Sequence, residues 1–352
     1  MQSLFAISIF CICGCNDKSQ WSPETQHLAD QYHMGCQQYV ASSSKSAGVQ
    51  PHATESCYRI PHRGDKGQDV TLTIYYVRHA QSEWNKARED NPGGPDNVRF
   101  RDALLTSHGI NQAMELNEAI VSDNLTEASE EDKRILKGED GNMMIVTSNL
   151  RRAALTLLVA FRHLFKLPPS AAKNEIKIVS ALQEKSTTMD SLTLSGKGEI
   201  PYITFAGSPL LEGEGGKDKG QCPYNYSHMA SIMKPECNDG DEIARNEDTI
   251  LNMCSWLRNQ VRANPNLGNM LIVGHGSFIK KFFRALHPKL THGINREDVG
   301  EIFATSRKTT ALNNASILKF KLLVSSPVRG SIHARCQIIP QTTQLIAGSI
   351  SN

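Results

Sequence analysis

The sequence has almost no net charge: 38 basic and 36 acidic residues leave +2 over 352 positions, with the two signs interspersed. That balance excludes a clustered basic surface, so no nucleic-acid partner is expected. The chain also shows no apolar run of the roughly 20 residues that a membrane-spanning helix needs, so no stable span is expected. Its N-terminal stretch LFAISIFCICGC (residues 4–15) is long enough only for a signal-peptide core, and no Lys or Arg precedes it. The expected location is therefore cytoplasmic, or secreted if that stretch is a signal. CxxC pairs are missing among the nine cysteines, three of which fall within residues 4–15, and this removes the commonest zinc spacing. Sequons at Asn124, Asn225 and Asn314 matter only in a secreted chain.

What is present is ordinary for a globular protein, with 39% hydrophobic and 21% charged residues. Residues 1–68 are polar after the first stretch and include ASSSKSAGVQP, which reads as a weakly ordered N-terminal extension. From residue 70 short apolar runs alternate with amphipathic segments. Strands are expected at 72–77, 143–148, 176–182, 269–276 and 315–323, and helices at about 107–121, 150–165, 241–261 and 277–286. Ala154, Leu157, Leu158, Phe161, Leu164 and Phe165 recur at three- and four-residue steps and give one apolar helix face. Cys254 falls on the apolar face of another helix, as a buried thiol would. The pattern predicts an α/β three-layer sandwich, a mostly parallel central sheet with helices on both faces. In that architecture ligands collect at the carboxyl ends of the strands.

The run LTIYYV ends on Arg78 and His79, which places two cationic groups at such an edge. Arg78, His79, Ala80, Gln81, Ser82, Trp84 and Asn85 match the pattern RH[GA]xSxWN, and DALLTSHGINQA (102–113) matches DxxLTxxGxxQA. TSNLRRAALT (147–156) fits TSxLxRAxxT with Arg152 in the arginine position, ALQE ends on Glu184, and VGHGSFIKKF carries His275. In these ordered blocks, over about residues 70–325, the sequence resembles the histidine phosphatase superfamily, the phosphoglycerate mutase-like proteins. The resemblance implies a domain at 69–326, followed by a C-terminal tail at 327–352.

It also implies a phosphoric monoester hydrolase acting through a phosphohistidine on His79. Arg78 and Arg152 would bind the phosphate, since a guanidinium fork holds two oxygens and stays charged. Asn85 would add an amide contact. His275 would act as a further donor, preferentially protonated, and Glu184 would be the proton donor to the leaving oxygen, with a pKa raised by burial or by the charge of the bound phosphate. No metal and no cofactor is expected. Ser82 and Thr106 read as helix caps, and Arg151 as a solvated helix residue. Glu184 is followed by Lys185, Ser186, Thr187 and Thr188, where true mutases carry ERHYG, so hydrolysis of a small-molecule or protein phosphomonoester outranks mutase transfer. The remaining alternative is a catalytically silent phosphate-binding scaffold. Residues 185–240 are an insertion whose loop at 207–221, with Lys217 and Lys219, would cover the site.

Overall fold

The computed structural model describes residues 55–58, 68–91, 100–139, 141–165, 175–184, 188–201, 203, 231–241, 249–287, 311–326 and 334–351. In chain order these form α1 (Glu55–Tyr58), β1 (Val70–Arg78), α2 (Glu83–Asp90), α3 (Ser107–Val121), α4 (Glu130–Leu136), β2 (Met143–Thr147) and α5 (Arg151–Ala160). Then come β3 (Ile176–Val179), β4 (Met233–Cys237), α6 (Thr249–Ala263), β5 (Asn269–Gly274) and α7 (Gly276–Leu286). The chain closes with β6 (Ala311–Leu312), β7 (Ile317–Ser325), β8 (Arg335–Ile338), β9 (Gln344–Ala347) and β10 (Ile350–Ser351).

An eight-stranded sheet runs β4-β3-β2-β5-β1-β7-β8, with β9 also paired to β7. The pairs β1·β5, β2·β5, β2·β3 and β3·β4 are parallel, and β7 runs antiparallel to β1, β8 and β9. Period-two alternation in β1 splits its side chains between two cores. Tyr75 and Val77 join Ile110, Ala113 and Leu116 of α3 and Ala154, Leu157 and Leu158 of α5 on one face. Leu72, Ile74 and Tyr76 join Met253, Trp256 and Leu257 of α6 and Phe278, Phe282 and Phe283 of α7 on the other. The expected three-layer sandwich is thus formed, because β1 is buried on both sides and needs a helical layer over each.

Several helix starts follow local chemistry. Ser82 caps α2, Thr106 caps α3 and Ser129 caps α4, each accepting a backbone N–H with its hydroxyl. The segment containing α4 is more than an acidic connection: its Asp132 is buried and binds Tyr75 Oη at 2.6 Å and Lys319 Nζ at 2.7 Å, tying α4 to β1 and β7. Cys254 is buried and free, as expected.

Both expected extensions need correction. The 327–352 segment is part of the architecture: β8 pairs with Leu322–Ser325 and β9 with Ile317–Lys319, while β10 pairs with β6. Its strands are too short for a periodic signal and acquire order by completing the free edge of β7. At the other end, residues 55–58 are anchored, and residues 1–54 and 59–67 lie outside the described residues. Cys57 forms a disulfide with Cys237 at the end of β4, with Cα atoms 5.8 Å apart. Tyr58 donates to the Cys237 carbonyl at 2.9 Å and accepts from the Ala181 N–H at 3.4 Å, and Asn259 of α6 donates to the Cys57 carbonyl. The insertion at 185–240 also contains β4, an edge strand hidden in a polar sequence. The 207–221 loop, Lys217 and Lys219 lie outside the described residues, and α6 begins at Thr249 among them.

The disulfide joins residues 180 positions apart. Loop-closure entropy for so long a separation makes it a strong constraint, on the order of 5 kcal/mol in the chain-entropy treatment. Cys57→Ser, or reduction of the wild type, is expected to lower Tm by roughly 5–15 °C in thermal melts followed by circular dichroism. Equal melting of the oxidised, reduced and substituted proteins would contradict this staple.

Candidate active site

The parallel register fixes the site. Arg78 lies opposite Gly274 and Thr147 opposite Val273, so β1, β5 and β2 end level with one another. The residues that follow, His79, His275 and Ser148, therefore leave the sheet at one edge. The His79 N–H donates to the Gly274 carbonyl and the Ser148 N–H to the Val273 carbonyl, which extends the ladder to the site itself.

Two helices begin at this edge without a side-chain cap. Leu150 precedes α5 and His275 precedes α7, and neither side chain accepts from the first turn. The positive end of the peptide dipoles favours an anion here, although the first N–H of α5, that of Arg151, is already taken by Asp102 Oδ1. Tyr76 fixes the start of α7: its hydroxyl accepts from the His275 N–H at 2.6 Å and donates to the His275 carbonyl at 2.9 Å. A side chain at Gly274 would collide with that hydroxyl, since a Cβ there would lie 2.4 Å from it. Nothing in the local sequence announces Tyr76, which looks like any core strand residue.

His79, Arg152, Glu184 and His275 come together as expected. Arg152 is fully buried; it donates to Glu184 Oε2 at 2.6 Å and to the Asp190 carbonyl at 2.7 Å. Glu184 also accepts from Ser277 Oγ at 2.8 Å, and its Oε2 lies 3.8 Å from His275 Nδ1. The His79 and His275 rings are 5.1 Å apart. Arg78 donates to the Leu312 carbonyl at 2.5 Å and lies against Gly276. The Nε–H groups of both Arg78 and Arg152 are buried and have no partner among the described residues. Such donors are costly unless an oxygen arrives to accept from them.

His79 is oriented by its own chain. Its Nδ1 lies 2.7 Å from the Ala80 carbonyl, an acceptor only, so Nδ1 carries the proton and Nε2 keeps a lone pair. Burial first, then the charges of Arg152, His275 and Arg78, hold its pKa well below the usual histidine value. The expected protonated His275 is overturned for the same reasons: burial and the Arg152 charge push it down to about 3, leaving a neutral ring. The raised Glu184 pKa expected from burial is not found in the free site. Burial alone would raise it, but Arg152, the two histidines and the Ser277 hydroxyl hold it below the usual carboxylate range. Glu184 is thus an anion in the free site.

Arg151 is not a solvated residue. Its Nε and Nη2 donate to the Asp102 carbonyl at 3.0 and 2.6 Å, and its N–H donates to Asp102 Oδ1 at 2.8 Å. Asp102 has a left-handed backbone (φ 47°) and also receives the Leu194 N–H, so this pair joins α5 to the 193–195 segment outside the pocket. Asn85 serves as half of a capping box, its Oδ1 accepting from the Ser82 N–H and hydroxyl. Among the described residues no bond joins Asn85 to the four clustered groups. Ser148, Asp190 and Ser277 are contacts that the sequence reading missed; Ser148 is itself the Ser of the TSxLxRAxxT match and Ser277 lies two residues after His275, while Asp190 has no local signal.

The ring nitrogens of His79 and His275 and the carboxylate of Glu184 lie within 4.8 Å of one another, a spacing that could hold a cation. Two guanidinium charges in the same pocket oppose a dication, while the carboxylates of Glu184 and of the buried Asp190, 3.4 Å from Arg152 Nη2, lie against them. The arrangement suits an anion that can accept from both arginines.

No family model matches the chain, and no curated protein matches it. Solved structures do match. A mycobacterial glucosyl-3-phosphoglycerate phosphatase complexed with VO3 is 13% identical, with a TM-score of 0.36 over 77% of this chain and 98% of that one. A phosphoserine phosphatase from Entamoeba histolytica in complex with phosphoserine is 17% identical, with a TM-score of 0.34 over 78% of this chain and 97% of that one. Both are phosphatases. Their distance leaves the chemistry of this chain to be read from its own residues.

Acid should expose the buried neutral rings. Below about 6.5 the unfolded chain protonates its histidines, while His275 in the folded protein resists until about 3, and below 4.5 the unfolded Glu184 also gains a proton that the folded one refuses. Both effects remove stability as pH falls. Tm is therefore expected to drop between pH 7 and pH 4, and His275→Gln to make that drop shallower. A substituted protein with the wild-type pH slope would show that His275 is not held neutral.

Proposed function

We propose that the chain belongs to the histidine phosphatase superfamily and hydrolyses a phosphomonoester through a phosphohistidine on His79. The observation that carries this reading is the pair of partnerless Nε–H groups on Arg78 and Arg152 beside an imidazole whose Nε2 lone pair is free. The arginines donate to the phosphoryl oxygens and neutralise the charge that builds during transfer. His79 Nε2 forms the bond to phosphorus as the ester oxygen departs.

The leaving oxygen needs a proton, and Glu184 begins without one. With both imidazoles neutral, Arg78 and Arg152 face the carboxylates of Glu184 and Asp190. A phosphate dianion competes for Arg152, weakens the pair that held Glu184 ionised and turns the balance negative, so binding draws a proton onto the carboxylate. Glu184 then gives that proton to the departing alkoxide and takes one from the water that attacks the phosphohistidine. His275 donates to a phosphoryl oxygen, and Asn85 offers its amide hydrogens to another. No step requires a metal or a cofactor, because the arginines supply the positive charge.

The segment after Glu184 lacks the residues that would bind a sugar-acid phosphate for mutase transfer, which favours water as the acceptor. The substrate is a small-molecule or protein phosphomonoester. Among the described residues no helix is long and apolar enough to cross a membrane. The Cys57–Cys237 disulfide favours an oxidising compartment over the cytoplasmic location expected from composition.

Turnover of p-nitrophenyl phosphate, with an acid-labile and base-stable phosphoenzyme on quenching, is the expected result, and His79→Ala should abolish both. Arg152→Ala should lower kcat/KM by at least about a hundredfold. Arg151→Ala, which loosens the Asp102 contact outside the pocket, should cost less than about tenfold and act mainly on Tm. Activity should survive EDTA. A phosphoenzyme that persists in the His79 variant, or activity lost on chelation and restored by a divalent cation, would overturn the mechanism.

A further inference from the structure

A neutral His275 can serve as a donor only from the ring nitrogen that carries its proton, and two neighbours decide which one that is. Ser148 Oγ lies 2.9 Å from His275 Nε2, and both residues are fully buried. The same Oγ accepts from the Leu150 N–H at 3.3 Å. On the other side of the ring, Nδ1 has no hydrogen-bond partner among the described residues and stands 3.8 Å from Glu184 Oε2.

Two tautomers are possible, and they differ in what they leave buried. If Nε2 carried the proton, it would donate to Ser148 Oγ, and the serine hydroxyl hydrogen would have no acceptor among the bonds this residue makes. The bare Nδ1 lone pair would also face a carboxylate oxygen. If Nδ1 carries the proton, Ser148 donates its hydroxyl to Nε2 and accepts from Leu150, so every group on that side is satisfied. The Nδ1–H then points its positive end toward the Glu184 anion.

We propose that Ser148 is a positioning residue that locks His275 in the Nδ1–H tautomer by donating its hydroxyl to Nε2. The Nδ1–H is thereby presented on the Glu184 side of the pocket. Its use as a donor to a phosphoryl oxygen rests on the phosphatase reading above; the tautomer does not. The motif residue before the helix thus has a task distinct from that of Arg152, since it acts through the imidazole and touches no substrate.

Long-range 1H–15N correlation spectra of the 15N-labelled full chain at pH 7.5 read the tautomer directly, with His275 assigned by comparison with His275→Gln. The wild type should show one tautomer, protonated at Nδ1. In Ser148→Ala a substantial Nε2–H population should appear, and kcat on p-nitrophenyl phosphate should fall by at least about tenfold with KM changed by less than about threefold. Ser148→Thr, which keeps the hydroxyl, should restore the wild-type tautomer. A wild-type ring protonated at Nε2, or a Ser148→Ala ring unchanged from the wild type, would overturn the proposal. Should Ser148→Ala fail to fold, the wild-type spectrum decides alone. A chain without phosphatase activity but with the Nδ1–H ring would refute the functional reading and leave the assignment of the tautomer standing.

Discussion

Two buried guanidinium groups, with the carboxylates of Glu184 and Asp190 against Arg152, set at the edge of a buried sheet, constrain everything else in this site. Arg152 has almost no exposure and is held by Glu184 and by the Asp190 carbonyl, while Arg78 is tied to the Leu312 carbonyl. Burying two guanidinium groups is expensive, and a protein tolerates it where partners of the opposite sign complete the balance. The neutrality of both histidines follows first from burial and then from the arginine charges, so His79 keeps a lone pair and His275 stays uncharged. Glu184 is held as an anion by Arg152 beside it.

The fold supplies that edge through register. Because β1, β5 and β2 run parallel and end level, one residue beyond each strand enters the pocket, and two helices open over it with no cap from their own N-cap residue. The first N–H of α5 is taken instead by Asp102 Oδ1 from a distant segment, whereas α2, α3 and α4 are capped by their own Ser or Thr. Support comes from behind. Tyr76 clamps the His275 backbone from the opposite face of the sheet, and Tyr58, held by the Cys57–Cys237 disulfide, braces the Ser180–Leu182 turn that leads to Glu184.

Much of this was legible in the sequence because it is local. An apolar run that stops on Arg78 and His79 marks a strand end, alternation of short strands with amphipathic helices marks a layered sheet, and Ser82 and Thr106 stand where hydroxyl caps stand. The choice of Arg152 over Arg151 came from the resemblance, whose pattern sets an alanine after the arginine; helix geometry adds only that one of two neighbours can face the edge, since successive residues point about 100° apart.

Long-range contacts decided the rest, and they reversed several expectations. The protonation states of Glu184 and His275 depend on which charges lie within a few ångströms after folding, and neither sits near Arg152 in the chain. Arg151 looked solvated because its partner, the Asp102 carbonyl, is 49 residues away. The order of Cys57 and Tyr58 depends on β4, and that of β8 and β9 on the open edge of β7. By itself the sequence determined the strand ends, the helix starts and the residue types that bind an anion, because backbone periodicity and capping act over a few residues. Tertiary structure alone decided which of those groups carry charge and which nitrogen carries the proton, because electrostatic energy and hydrogen-bond satisfaction depend on distances that no single segment contains.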